Sequence, residues 1–367
     1  MTKWYMLSGN ENDVAVSSKV SLARNLRDHV FTNRLSTEEK DQIADEVSEV
    51  IFRELPEKFV MTRMNTLSRY AAISLAERDL VSPDFVSVQE GRSFLTTPDE
   101  SLSVMICEED HVKIQALLPG LELTRSYELA DRLDTMLDEA LGFSFDNKLG
   151  YLTQCPTNIG TAMRGSVVLQ LPAMRILGRI RHLSNTVSRL GLVLTGAYGE
   201  GDSPIGSLYL LTNQVTLGIS EEAALGNLDA LAKSIIEQER EARKELMENL
   251  QFQDMLWRSY GTLRSARVMS FQEFMEALSV VKVGIAAGEF DLPMNTVNEL
   301  IFAMQPATLN TEAGEDLTRQ ERDALRAEKS ARFLRTCNNK SPKNKKAPSC
   351  RRRRFSVAFI CGCRGPL

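Results

Sequence analysis

Apolar positions along this chain recur first at one spacing and then at another, and the changes of period mark its elements. Ser36-Thr-Glu-Glu39 sets a hydroxyl three residues ahead of a carboxylate, a pair that satisfies free N–H groups at a helix start, and Ile43, Val47, Val50 and Ile51 follow at helical spacing. A first long helix is predicted from Ser36. Short apolar runs predict strands over residues 103–107, 165–171 and 191–197, and a hairpin of 207–212 with 215–219 turned at Asn213-Gln214. Residues 221–250 read as a long amphipathic helix, with acids in its first turn to meet the helix dipole and Leu225, Leu228, Ala232 and Ile235 on one face.

From about residue 252 the strand period disappears. Ser270-Phe-Gln-Glu273, Thr296-Val-Asn-Glu299 and Thr318-Arg-Gln-Glu321 each repeat the helix-start pattern. Phe271, Phe274, Leu278 and Val281 form one stripe, which Gly288 can terminate, and Val297, Leu300, Ile301 and Met304 form another. The expected fold class is α+β: an antiparallel sheet flanked by helices over residues 1–250, then a small all-helical domain over 252–335. The two stripes exceed what three or four short helices need for their own core, so one face is expected to pair with a second copy of the chain.

Composition adds limits to this picture. No apolar run approaches the length that spans a bilayer, and the opening Met1-Thr-Lys-Trp-Tyr5 lacks the basic and apolar regions of a signal peptide, so a cytoplasmic protein is expected. Cys107 and Cys155 stand alone, while Cys337, Cys350, Cys361 and Cys363 crowd the end in no disulfide or zinc pattern, which favours a reducing compartment. Residues 336–367 carry nine basic side chains and no acid, so against the net charge of −5 the rest of the chain holds −14. An acidic body argues against nucleic acid as the main ligand. The tail is expected to be disordered or non-homologous, as a shifted reading frame would produce.

Three stretches carry candidate chemistry. Glu108, Glu109 and Asp110 stand in a row directly behind the strand ending Val104-Met105-Ile106, where adjacent acids repel one another and have no packing use. Cys155-Pro-Thr-Asn-Ile-Gly160 is punctuated against helix and reads as an ordered loop leading through Arg164 into the next strand. Gly196 to Ser207 places four glycines around Glu200, a pattern for a mobile loop that brings a carboxylate to a strand end.

Together, SSKVSLARNL, EEDHVKIQ, GYLTQCPTNIGTAMR and YGEG, in this order and at these separations, resemble the catalytic domain of the phosphagen (guanidino) kinases. SYGTLRSARVMS, IIEQEREAR and the late RDALRA narrow the resemblance to the bacterial branch, the protein arginine kinases, over roughly residues 10–335. The resemblance implies ATP and Mg2+ as cofactors and arginine-containing proteins as substrates. It gives Glu109 the substrate guanidinium to align and deprotonate, Glu200 a second hold on it, and Cys155 a place beside it. A guanidinium is protonated and a poor nucleophile, so a carboxylate base suits the task. Asp110 and His111 are expected as structural support.

The same resemblance places Ser18, Lys19, Ser21, Lys113, Asn158 and Arg164 at the nucleotide, and a phosphoarginine pocket at Arg322, Asp323 and Arg326 of RDALRA. It further implies a homodimer and stress-regulator or protease-adaptor partners. Departures cluster on the phosphate side, where Lys19, Ser21, Lys113 and Thr195 stand at positions that are arginine in the family, and Glu77-Arg-Asp-Leu80 stands where the branch commonly reads E-K-H-L. Lysine keeps charge but loses the bidentate fork, and Ser21 and Thr195 lose the charge. Arg24, Arg27 and Arg63 are the neighbouring cations that could replace them. A rival expectation is a pseudokinase adaptor that binds phosphoarginine proteins without turnover.

Overall fold

The computed structural model describes residues 2–55, 58–198 and 204–336. Among the described residues there are ten strands: β1 (Ala15–Arg24), β2 (Val60–Arg63), β3 (Ser93–Thr96), β4 (Leu102–Ile106), β5 (Val112–Pro119), β6 (Phe145–Asp146), β7 (Gly150–Tyr151), β8 (Met163–Gln170), β9 (Leu192–Gly196) and β10 (Leu208–Asn213). The helices are α1 (Thr37–Glu54), α2 (Arg69–Glu77), α3 (Pro83–Ser87), α4 (Leu123–Leu141), α5 (Pro172–Ile176), α6 (Ile180–Arg189) and α7 (Glu221–Met247). After these the described residues form only helices: α8 (Leu250–Ser265), α9 (Phe271–Ala286), α10 (Met294–Ala303), α11 (Pro306–Ala313) and α12 (Arg319–Thr336).

Eight strands form one antiparallel sheet in the order β2-β3-β4-β5-β1-β8-β10-β9, and β6 and β7 form a separate ribbon. This is the expected α+β fold class. Strand alternation gives β1 two different faces. Val20 pairs with Gly165, over which Leu225 and Leu228 of α7 sit, and the Ser18 hydroxyl accepts from Glu122 N–H at the start of α4; this face is packed under helices. Lys19, Ser21 and Ala23 point the other way. The register sets Ser21 beside Gln115 and Arg164, Ala23 beside Lys113, and Lys19 beside Ser166, so one polar block forms from three strands distant in sequence.

Several predicted starts hold. Ser36 makes both limbs of its capping box, and Ser270 and Thr318 accept from the N–H groups of Glu273 and Glu321. Thr296 does not start a helix: α10 begins at Met294 behind Pro293, whose ring already fixes a helix-entry φ, so Thr296 lies inside the first turn. The hairpin of 207–212 with 215–219 also fails. Both edges of β10 are taken, by β8 and β9, and the segment after it turns back to hold the Cys155–Gly160 loop instead.

The two apolar stripes are accounted for within the chain. Helix α9 is buried on nearly every side, Phe274, Leu278 and Val281 among its buried positions, and Val297, Leu300, Ile301 and Met304 are each 7% exposed or less. They pack in one apolar cluster continuous with the sheet core, so they leave no face open for a second copy.

Candidate active site

The three adjacent acids do three different jobs, because distant residues reach each one separately. Asp110 is buried and accepts from Asn25 Nδ2 at 2.7 Å and from Gln154 N–H at 2.8 Å; burial still raises its carboxyl above the usual range. It ties the acid turn to the Cys155 loop. His111 beside it is fully buried, accepting at Nδ1 from Leu26 N–H and donating from Nε2 to the Val30 carbonyl, so both residues are structural as expected. Glu108 turns toward Lys113 at 2.9 Å and the Ser82 hydroxyl. Burial alone would raise its carboxyl, but these two partners outweigh it and hold it low.

Glu109 is left exposed at the turn. Partial burial, followed by the negative charges of Asp110 and Glu108, raises its carboxyl above the ordinary value, while Lys113 and the thiol of Cys155 pull the other way. An exposed carboxylate with a raised affinity for protons, a thiol beside it and a lysine close by is a base placed to meet a cation.

Cys155 leads a single 3-10 turn, Pro156–Asn158, and its sulfur lies 3.0 Å from the Thr157 hydroxyl. The loop is clamped from behind. Thr216 Oγ1 donates to the carbonyls of Thr157 and Ile159, and Thr161 N–H donates to the Thr216 carbonyl. Gly160 adopts φ +114°, and a Cβ there would stand 2.1 Å from the Thr216 oxygen, so only glycine fits. Thr216 and Asn213, which accepts from Gly165 N–H and Arg164, carry no motif and sequence reasoning missed them.

The polar block of the sheet floors a cleft of about 290 Å³ lined by Lys19, Ser21, Lys113, Gln115, Asn158 and Arg164 together with Asp79 and Ser82. Five of the six residues assigned to nucleotide thus share one cavity. Ser18 does not join them: as an even-numbered neighbour on β1 it faces α4, with its hydroxyl donating to the Gly120 carbonyl at 2.7 Å. Arg164 donates to Asn158 Oδ1 at 2.8 Å and to the Asn213 carbonyl at 3.2 Å, which fixes its fork over the cleft. Lys19 Nζ donates to Asp79 Oδ1 at 2.6 Å, and Thr195, paired with Leu210, lies exposed on the same face of the sheet. Glu200 lies outside the described residues, as does the tail from residue 337.

Comparison with known proteins bears on this arrangement directly. Residues 42–242 match the model of the ATP:guanido phosphotransferase C-terminal catalytic domain. The chain belongs to that family. Residues 249–346 match a second model, the protein-arginine kinase McsB C-terminal domain. Among relatives named protein-arginine kinase, that of Desulforamulus reducens is 40% identical over 89% of this chain and 93% of its own length, and that of Syntrophomonas wolfei is 41% identical over 88% and 91%. Of solved structures, lombricine kinase shares the fold with a TM-score of 0.56 at 19% identity, covering 62% of this chain and 67% of that one. The duplicated taurocyamine kinase of Schistosoma mansoni has the same TM-score at 23% identity, over 64% of this chain and 34% of its own.

As a guanido phosphotransferase the chain is a kinase that uses ATP, and its departures from the family pattern now have positions. Arg24 and Arg63 do not replace the lost arginines. Arg24 points away from the cleft into a buried pair with Asp134 at 2.9 Å, its guanidinium over the Tyr151 ring, and Arg63 is held by Asp41 and Asp45. Arg27 sits beside Gly142 at the end of α4.

In α12, Arg322, Asp323 and Arg326 come together, although not as a pair of arginines facing an open space. Arg326 is 1% exposed, donating to the carbonyls of Met304 and Met269 and to Asp323 at 2.6 Å. Asp323 therefore already neutralises it, and Arg322 donates to the Leu317 carbonyl.

Proposed function

We propose that this chain transfers the γ-phosphoryl group of ATP to arginine side chains of proteins, with Glu109 as the base. The observation that carries the reading is the junction of two unlike sites: an exposed, proton-avid carboxylate beside the Cys155 thiol, and a cleft bearing Lys19, Lys113 and Arg164, with Lys113 close to both. Phosphoryl transfer asks for little covalent chemistry from the protein. It needs the nucleophile in line with the phosphorus and cations around the oxygens that gain charge. Glu109 aligns the guanidinium and accepts its proton as the N–P bond forms and the bond to ADP breaks. Glu200 is assigned the second contact to the guanidinium. Mg2+ would enter with the nucleotide and add positive charge at the phosphates.

The relatives' name supplies the substrate class. Incubation with Mg-ATP and an arginine-rich protein is expected to give acid-labile phosphoarginine, visible by phosphorus NMR; faster phosphorylation of free arginine would overturn the assignment to proteins. We assign residues 1–250 to catalysis and 252–335 to binding phosphoarginine and pairing with a second copy, in a cytoplasmic stress-response protein with regulator or protease-adaptor partners. Met255 (37% exposed), Trp257 (49%) and Val268 (53%) are exposed apolar side chains of that region available for the pairing. A monomer mass by light scattering at micromolar concentration would remove the dimer.

A further inference from the structure

The charges inside the cleft do not add up to a strong phosphate site. Of its three cations, Lys19 is held by Asp79 at 2.6 Å and Lys113 by Glu108 at 2.9 Å, and Arg164 alone is held by neutral oxygens. An entering polyphosphate meets one uncompensated charge where three cationic side chains stand.

The two carboxylates are not equivalent. Glu108 also accepts from Ser82 and its side chain is 9% exposed, so two partners hold it and little of it faces the cavity. Asp79 is 29% exposed and lines the cavity itself. Its backbone is fixed: φ is +61°, its N–H donates to the Ala76 carbonyl at 2.9 Å, and its carbonyl accepts from Gln115 Nε2 at 2.6 Å. A short side chain on a fixed backbone has little freedom beyond χ1 and χ2, and here it ends on Lys19.

The geometry points to Asp79 as the residue that sets nucleotide affinity, its carboxylate occupying on Lys19 the place of a phosphate oxygen. This rests on the reading of the cleft as the nucleotide site. Each binding event exchanges the Lys19–Asp79 pair for a Lys19–phosphate pair and turns the Asp79 carboxylate to water. The exchange is favourable because a polyphosphate carries more charge than one carboxylate, but the competition weakens binding by roughly the strength of a part-exposed ion pair, about fivefold in the dissociation constant.

Asp79→Asn removes the charge while keeping a residue type that tolerates the left-handed backbone. Calorimetry with Mg-ATP and with inorganic tripolyphosphate is expected to show tighter binding to Asp79→Asn by about fivefold, and no gain for Asp79→Glu. In a Lys19→Met background the same Asp79→Asn change is expected to matter less than about twofold, because the contested cation is gone. In turnover, KM for Mg-ATP falls and kcat stays within about twofold. Equal or weaker binding to Asp79→Asn overturns the proposal, as does an undiminished gain in the Lys19→Met background, which would reflect net charge alone. If neither ligand binds the unaltered protein or the variant, the nucleotide reading of the cleft falls and takes this role of Asp79 with it.

Discussion

At the scale of single residues, adjacency in sequence turns into division of labour in space. That three acids behind a strand signal a site is legible from their mutual repulsion. Which of them stays free is not, because Asn25, Gln154, Ser82 and Lys113 make the choice and only the folded chain brings them there. The same limit explains Ser18, which is inseparable from Lys19 in a motif and opposite to it on a strand. Glu109→Gln is expected to cut transfer by about 10³-fold or more, with the melting temperature unchanged, since the removed charge sits among like charges on an exposed side chain. The pH profile gives a second readout. A base works only when ionised, and the Glu109 carboxyl is raised, so activity is lost as pH falls through a value above the ordinary carboxylate one of 4.5. An acidic limb at or below 4.5 in kcat/KM would exclude Glu109 as the group responsible.

At the scale of elements, period and capping chemistry reveal α1, α7, α9 and α12 and the strands β4, β8, β9 and β10, since these are written in local spacing, while β1, β5 and α4 carry no such mark. What escapes is anything decided by competition for an edge. Residues 215–219 have the composition of a strand, but β9 and β8 already satisfy both edges of β10, and the segment's hydrogen bonds go to the Cys155–Gly160 loop. That loop is therefore only as rigid as its clamp. Gly160→Ala is expected to force it away from Thr216, because the added methyl would overlap a backbone oxygen at a φ of +114° that alanine resists. Stability should fall by about 2 kcal/mol or more in urea denaturation, and transfer should fall further than stability accounts for. Activity like that of the unaltered protein at a temperature where both are folded would show that the loop's position does not matter.

At the scale of the whole molecule, the sheet core and the C-terminal helices share one apolar cluster, and charged side chains are sealed at their junction. Lys282 of α9 is fully buried near Arg243, Asp13 and Glu239, its Nζ has no hydrogen-bond partner, and burial pushes its ammonium down to about 7. No sequence pattern announces this, since a lysine inside an apolar stripe reads as its exposed margin. Below about pH 7 the group is charged folded and unfolded alike. Between there and its ordinary 10.5 only the unfolded chain holds the proton, so the Lys282 contribution makes stability rise with pH across that window. Lys282→Met is expected to stabilise the chain by about 1–3 kcal/mol at pH 7 and to flatten this rise, as paired denaturation curves at pH 7 and pH 9 would report. Destabilisation at both would mean the ammonium is satisfied by its acidic neighbours. The position of β1 has a consequence of another kind. The strand that comes earliest in this sheet's sequence order is one of its two middle strands, bonded to residues 112–119 on one side and 163–170 on the other. Its two edges stay unmatched until the chain has been made through residue 170, so during synthesis this ladder-ready segment needs shielding from other nascent chains.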